Sequence, residues 1–505
     1  MDWMKLKSGS DVRGTALGDA PQLTPHVAQC LGMAFARYIA QLENKPVTQV
    51  TIALGRDSRL SGPELLTATA EGISRAGASV LDFGMCTTPA MYMSILTPGF
   101  QPDAAIMLTA SHHPYDKNGL KFFKKTGGLE GSEVAQLLQT AQELSPEGMP
   151  FAGSITAKAF LPAYVEQLKA RIRQGLETDM AKPLLGLHVV VDAGNGAGGF
   201  YADMLEDLGA WIEGSHFLEP DGTFPNHIPN PENPDAMASI SQAVIRAGAD
   251  LGVIFDADCD RAAIVDATGR GINRNRLIAL ISAILLDEQP GQTIVTDSVT
   301  SSGLKRFINA WGGEHYRYKR GYRNVIDEAV RLNAEGISCP LAIETSGHAA
   351  LRENHFLDDG MYLVTVLIVR AMKLKQQGQT LGSLIADLPE PVESVELRMN
   401  ITDEDFRETG KTAIQKVLDY ANAAEHWHIA PDNREGVRIS FDLNGGMDNG
   451  WFLLRLSVHD PVLPLNAESD VPGGVKQMLQ SLYQVLKDSQ GIDLTPLEKL
   501  LAQEN

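Results

Sequence analysis

Cysteine is scarce: Cys30, Cys86, Cys259 and Cys339 are the only four in 505 residues, and no two form a Cys-x-x-Cys pair. That spacing argues against a zinc site and a disulfide framework, and it fits a reducing, cytoplasmic setting. Long apolar runs are also missing, so no stretch is expected to span a bilayer. The first residues, Met1-Asp-Trp-Met-Lys-Leu-Lys7, carry neither the apolar segment nor the cleavage site of an export signal. Positive charge is in short supply. Lys and Arg number 43 against 63 Asp and Glu, a formal net charge of −20, which disfavours nucleic acid and membrane surfaces as partners. A small anionic substrate is not excluded, because a local basic loop can outweigh the global field.

What is present is ordinary for a globular protein, with 44% hydrophobic and 21% charged residues. The chain is too long for one core, so three to five domains are expected. Residues 8–14, Ser-Gly-Ser-Asp-Val-Arg-Gly, read as a polar turn whose one cation is Arg13. Thr24-Pro25 caps a helix in which Val27, Leu31, Ala34, Phe35 and Tyr38 recur at helical spacing. Val47–Leu54, Ser79–Phe83 and Ala104–Leu108 read as strands, and Ser61-Gly-Pro63 opens a helix between the first two. The alternation recurs downstream. Strands at Leu187–Val191, Leu251–Phe255, Thr293–Thr296 and Pro340–Ile343 each end in polar residues, where open α/β sheets bind ligands. After Pro389-Glu-Pro391 the pattern changes to strands at Val395–Met399, Gly436–Leu443 and Trp451–Val458, with helices near 403–423 and 473–487. The expected fold class is therefore α/β: three successive α/β sheet domains (1–155, 156–270, 271–390) followed by an α+β domain (391–505).

Four stretches carry chemistry. Thr109-Ala-Ser-His-His-Pro114 follows a buried strand and delivers Ser111 into a loop crowded with His112, His113 and Lys121. Such a serine needs help as a nucleophile, and once phosphorylated it needs cations nearby; a plain polar turn is the rival reading. Asp256-Ala-Asp-Cys-Asp-Arg261 offers three carboxylates at alternate positions, which in extended geometry face one side. A bound cation resolves their repulsion, and all-oxygen ligation suits Mg²⁺. An EF-hand would need glycine at Arg261 and glutamate at Ala267. A haloacid-dehalogenase-like nucleophile at Asp256 would ordinarily have Ser or Thr at position 260.

Glu344-Thr-Ser-Gly-His348 groups a carboxylate, a hydroxyl and an imidazole suited to sugar hydroxyls, or else caps a helix. Arg455-Leu-Ser-Val-His-Asp-Pro461 alternates Arg455, Ser457 and His459 as a phosphate cradle, or else is an edge strand running into a turn. Arg434 and Arg438 lie in the same domain. The Gly-Asn-Gly-Ala-Gly-Gly run at 194–199 lacks the helix entry and acidic residue of a dinucleotide fingerprint and reads as a turn packed against a helix.

Taken together and in this order, these stretches resemble the α-D-phosphohexomutase superfamily, as do Ser10–Gly14, Gly55-Arg-Asp-Ser-Arg59, Asp221-Gly-Thr-Phe-Pro-Asn226 and Pro229-Asn-Pro231. The resemblance spans essentially the whole chain. It implies four domains around a central cleft, a phosphoserine at Ser111, and Mg²⁺ held by Asp256, Asp258, Asp260 and the seryl phosphate. Lys121 matches the general-base lysine; Arg13, His112 and Arg261 match active-site cations. Glu344 and Ser346 match sugar contacts, with His348 beside them, and Arg455, Ser457 and His459 occupy the distal phosphate loop. The implied cycle converts hexose 1-phosphate and hexose 6-phosphate through a hexose 1,6-bisphosphate, which also serves as activator.

The chain departs from the family in that distal loop. Where the usual run is Arg-Pro-Ser-Gly-Thr-Glu-Pro, it has Leu456, Val458, His459 and Asp460, and Val462–Leu465 supplies no second arginine. His113 replaces a common asparagine. A mutase of glucose or mannose phosphates is the leading expectation. The altered loop raises a bisphosphate synthase that releases the intermediate as the alternative, and a non-catalytic sugar-phosphate sensor is the third.

Overall fold

The computed structural model describes residues 2–457 and 460–503. The chain forms two compact units, Met1–Asn273 with Ser346–Ser383, and Arg274–Thr345 with Leu384–Asn505. Both are mixed α/β.

In the first unit the largest sheet has the order Lys7–Ser8, Asp11–Thr15, Lys117–Lys124, Ala104–Leu108, Thr51–Arg56, Ser79–Met85 and Ile155–Ala157, with Gly127–Gly128 on Lys117–Lys124. The strands at 51–56, 79–85, 104–108 and 155–157 run parallel; those at 11–15 and 117–124 turn the sheet antiparallel at one side. The helix Pro25–Leu42 is capped as expected, Val27 N donating to Thr24 Oγ1 at 3.3 Å. Its Val27, Leu31, Ala34 and Phe35 pack with Ile52, Leu54, Ile106, Leu108 and Phe122. Each such large side chain contributes about 1.5–3 kcal/mol on burial.

Three expectations need correction here. Residues 47–49 form a 3₁₀ turn and the strand begins at Thr51. The strand Asp11–Thr15, paired with Lys117–Lys124, takes in residues 11–14 of the expected 8–14 polar turn, because Asp11 and Arg13 satisfy each other at 2.8 Å and so tolerate sheet burial. Lys121 lies on a strand and not in the serine loop: Leu120 and Phe122 enter the core and fix the alternation.

A second sheet in this unit has the order Gly271–Ile272, Ala262–Asp266, Leu251–Phe255, Val189–Asp192. Leu251–Phe255 and Ala262–Asp266 are a hairpin, Phe255 opposite Ala262, so residues 256–261 are its loop. The extended geometry expected for the three aspartates is therefore wrong. The segment turns, with Cys259 at φ 66° in the left-handed region. The 194–199 run packs on this loop: Ala197 N donates to Ala257 O at 2.9 Å, and a Cβ on Gly196 would stand 2.6 Å from Ala257 Cα. Only glycine allows that approach. The hairpin Ala349–Leu351/Leu357–Asp358 and the helix Gly360–Gln376 complete the unit.

In the second unit Thr293–Thr296 lies between the parallel strands Glu314–Arg317 and Leu341–Ile343, with helices at Arg274–Glu288, Ser302–Ala310 and Tyr322–Ala334. The remainder is an antiparallel sheet in the order Glu393–Asn400, Val462–Ser469, Gly450–Leu454, Val437–Phe441, His428–Ile429, covered by Phe406–Ala423 and Gly474–Leu486. The strand expected at 451–458 ends at Leu454, and its last expected residue, Val458, lies outside the described residues. Val462–Ser469 is a strand despite Pro464, whose carbonyl accepts from Arg455 N at 3.1 Å. No helix among the described residues is long and apolar enough to cross a membrane.

Candidate active site

Ser111 stands just beyond the end of the Ala104–Leu108 strand, fully buried, at φ 52°. Left-handed backbone is unfavourable for a serine and persists only where surrounding bonds impose it. Here Ser111 N donates to Thr109 Oγ1 at 2.8 Å, and Thr109 Oγ1 donates to Asp57 Oδ2 at 2.7 Å. The hydroxyl of Ser111 donates to Asp256 Oδ2 at 2.8 Å, so two loops 145 residues apart in sequence meet at this oxygen.

One oxygen from each of Asp256, Asp258 and Asp260 falls within 4.8 Å of the others, all three residues being buried. Asp258 Oδ1 and Asp260 Oδ1 are buried without a hydrogen-bond partner. Burial, reinforced by Asp260 and Asp258, pushes the Asp256 carboxyl far above its ordinary range. For Asp260 burial acts in the same direction, but Lys121, His348 and Arg261 overcome it and hold the group low. Three convergent carboxylates, two of which keep an oxygen without a hydrogen-bond partner, are a donor set for a hard divalent cation.

The cations around this cluster come from several strands and loops. Lys121 Nζ contacts Asp258 Oδ2 at 3.0 Å and also Asp260 Oδ2. Burial opposes its ammonium, yet Asp258 and Asp260 raise it well above the ordinary lysine value. Arg261 closes the loop. Its Nη2 lies 3.4 Å from Ser111 Oγ and 2.7 Å from His112 Nδ1, and its Nε donates to His348 Nε2 at 3.0 Å. A guanidinium only donates, so His112 Nδ1 and His348 Nε2 are the lone-pair nitrogens. Burial, then the Arg261 charge, keeps His112 neutral, and burial followed by Arg13 and Lys117 lowers His113 to about 3. His348 Nδ1 faces Asp358 Oδ2; burial resists protonation of the ring while Asp358 and Asp260 favour it. Arg13 senses Asp258 and Asp260 but is hydrogen-bonded to Asp11.

Thus Ser111, His112, Lys121, Asp256, Asp258, Asp260, Arg261 and His348 come together in the first unit. Ser346 belongs to that unit and is buried, its hydroxyl without a hydrogen-bond partner. Glu344 belongs to the second unit, where its Oε1 accepts from Gly321 N at 2.6 Å.

Arg455 is buried in the second unit with its Nε unpartnered, its charge disfavoured by burial and then by Arg320. Glu435, Asp297 and Glu396 act on it in the opposite sense. Ser457 N donates to Val462 O at 3.0 Å, and His459 lies outside the described residues. Arg438, in contrast, stacks 3.5 Å over Trp451 and donates to Ser298 O at 3.0 Å, a packing role. Sequence reasoning missed Asp57, Thr88, Thr109 as a hydroxyl partner, and Asp358; Thr88 Oγ1 donates to Asp258 Oδ2. The Gly55–Arg59 run was the available signal for Asp57.

Comparison with known proteins shows the family to which the chain belongs. Family models of phosphoglucomutase/phosphomannomutase α/β/α domains I, II and III match residues 4–145, 162–269 and 273–392. A phosphomannomutase/phosphoglucomutase of Pseudomonas putida is 31% identical over 465 residues, 91% of this chain and 90% of its own length. A phosphomannomutase of Salmonella montevideo is 32% identical, covering 94% of this chain and 97% of the relative. A solved phosphoglucomutase/phosphomannomutase family protein of Burkholderia thailandensis superposes with a TM-score of 0.79 at 27% identity, over 97% of this chain and 98% of that one. The chain belongs to the phosphoglucomutase/phosphomannomutase family of the α-D-phosphohexomutase superfamily.

Proposed function

We propose that this protein is a phosphohexomutase that interconverts hexose 1-phosphate and hexose 6-phosphate, with glucose or mannose as the sugar, through a phosphoserine at Ser111 and a hexose 1,6-bisphosphate. The observation that carries the reading is Ser111 Oγ, donating at 2.8 Å into a buried three-aspartate cluster that Lys121 and Arg261 surround. Phosphoryl transfer depends mainly on alignment and on fixed charges around the moving group.

Asp256, Asp258 and Asp260 would hold Mg²⁺, with the seryl phosphate as a further ligand. When bound, it supplies positive charge to the phosphoryl oxygens. Arg261 faces Ser111 Oγ and answers the phosphoserine charge from the side of the acidic loop, while His112, neutral and accepting from Arg261 at Nδ1, keeps its other ring nitrogen as a donor. Lys121 rests as an ammonium beside Asp258 and Asp260. In transfer from the phosphoserine it yields a proton to Ser111 Oγ and takes the proton of the attacking sugar hydroxyl, ending as the ammonium it began; the return transfer runs the same exchange backwards. Glu344 and Ser346 orient sugar hydroxyls. His348, with its ring nitrogens engaged by Arg261 and Asp358, holds Arg261 in place and is not a sugar contact. Arg455 with Ser457 and His459 takes the phosphate that is not being transferred.

The test is conversion of glucose 1-phosphate, mannose 1-phosphate and glucosamine 1-phosphate in Mg²⁺, with and without hexose 1,6-bisphosphate. Formation of a 6-phosphate that Ser111→Ala abolishes supports the mutase and ranks its substrates. Conversion that survives Ser111→Ala, or no conversion of any of the three, refutes it.

A further inference from the structure

We propose that Arg59 is a positioning residue for the reaction: it sets the geometry of Ser111 by holding the backbone of the serine loop. The assignment rests on the phosphoserine reading above. Arg59 is fully buried, and every N–H of its guanidinium has an acceptor. Nε donates to Asp57 Oδ2 at 3.1 Å, Nη1 to Pro114 O at 2.7 Å and Lys117 O at 2.9 Å, and Nη2 to His113 O at 2.8 Å and to Ser111 O. Four of the five acceptors are main-chain carbonyls of residues 111–117.

Ser111 is thereby gripped on both sides. Its carbonyl is held by Arg59, and its N–H reaches Asp57 through Thr109 Oγ1. Asp57 also accepts Arg59 N at 3.0 Å, so the two grips share one carboxylate. This closed set imposes the left-handed φ of 52° that turns the Ser111 hydroxyl towards Asp256.

A second segment seals it. The ring of Phe224 lies 5.1 Å from the guanidinium carbon, and Gly222 bridges to Arg59. A Cβ at Gly222 would stand 2.3 Å from Ser58 O. The Asp221–Asn226 loop thus excludes water from the guanidinium, where charge-assisted hydrogen bonds are stronger and geometry is stiffer. Arg59 has no N–H left for a phosphate, so it acts through the backbone and not on the reacting atoms. Lysine cannot replace it well, because a point charge with three donors cannot span a five-acceptor fork.

The experiment uses the full-length enzyme phosphorylated at Ser111 by glucose 1,6-bisphosphate, with phosphoserine counted by intact mass. It measures the single-turnover rate of transfer to glucose 1-phosphate per phosphorylated molecule, which removes any misfolded fraction from the comparison. Arg59→Lys should slow transfer about 10²-fold, the cost of a displacement near 1 Å, with KM changed less than about threefold. Thr109→Val, which removes both hydroxyl bonds, should slow it about tenfold, and Phe224→Leu a few-fold.

Transfer at the unmodified rate per phosphoenzyme in a folded Arg59→Lys overturns the assignment. Should Arg59→Lys fail to fold, unchanged transfer in both Thr109→Val and Phe224→Leu overturns it equally. If the unmodified enzyme takes no phosphate on Ser111, the mutase reading falls and the assignment with it; phosphorylation of the unmodified enzyme with unaffected variants rejects Arg59 alone.

Discussion

Replacing Asp256 with asparagine should leave the metal-free protein at least as stable as the unmodified chain, yet remove its response to divalent cations. The three carboxylates approach within 4.8 Å; like charges at that separation repel by about 3.5 kcal/mol at an effective dielectric near 20. Asp256 bears the largest part of this conflict, since burial and both neighbours drive its carboxyl towards the neutral form. Asparagine retains an oxygen for Arg261 N, now 3.1 Å from Oδ1, and an amide that can donate to Ser111 Oγ.

The substitution therefore removes repulsion without leaving an unpaired group. Because the neutral acid already relieves most of it, the gain is at most about 1 kcal/mol. In the unmodified protein, a cation at 100 times its dissociation constant adds about 2.7 kcal/mol, roughly 5 °C for a unit of this size. Differential scanning calorimetry of both proteins, in chelator and in saturating Mg²⁺, measures all four states. A loss of more than about 1 kcal/mol in chelator, or a full Mg²⁺ shift in Asp256→Asn, would refute the reasoning.

Other consequences can be checked directly. Asp192 is gripped by His216 Nε2 at 3.0 Å and His227 Nε2 at 2.9 Å, while each Nδ1 faces a carbonyl, Gly214 O or Ile228 O, at 3.0 Å. Burial opposes the charge on both rings, but Asp192 raises them above the ordinary histidine value. Their contribution is therefore complete below pH about 6.5 and lost as pH rises through the raised folded values. His216→Gln and His227→Gln should each flatten the fall of Tm on the alkaline side of neutrality, and unchanged slopes would count against the clamp. Lys121→Met should lower kcat by about 10²- to 10⁴-fold; a loss under tenfold in steady-state kinetics would remove it from proton transfer. Arg455→Lys should raise KM for the hexose phosphate about tenfold, the difference between a fork and a point charge, with kcat little altered; a fall in kcat at constant KM would place it elsewhere.

The parts of this molecule legible in the sequence are those that side-chain pattern encodes. The helix face of Val27, Leu31, Ala34 and Phe35 is buried as its spacing demands, and the strand Leu251–Phe255 has the bounds its apolar run gives. The acids 256, 258 and 260 do converge, but alternation was the wrong reason. They meet on a hairpin loop that reverses through Cys259, and alternate residues of an extended strand would have shared a face without forming that pocket. Strand Asp11–Thr15 was hidden because its polar residues pair with each other, and Val462–Ser469 because Pro464, with no N–H to give, still offers a carbonyl between two neighbours.

Arg59 marks the limit of that legibility for a physical reason. Four of its five acceptors are peptide carbonyls, which every residue possesses, so no choice of side chain at 111–117 announces them. The cations that motif reading did find, Lys121 and Arg261, face carboxylates and a hydroxyl that are themselves unusual in sequence. In a chain of net charge −20 the two kinds of cation divide the work. One set offsets the acidic cluster and leaves Ser111 in a balanced field; Arg59, buried and saturated, gives that serine a fixed address. A field without a fixed address would stabilise a phosphoryl group in several poses, only one of them reactive. The backbone anchor is therefore as necessary to the chemistry as the charges that sequence reading can see.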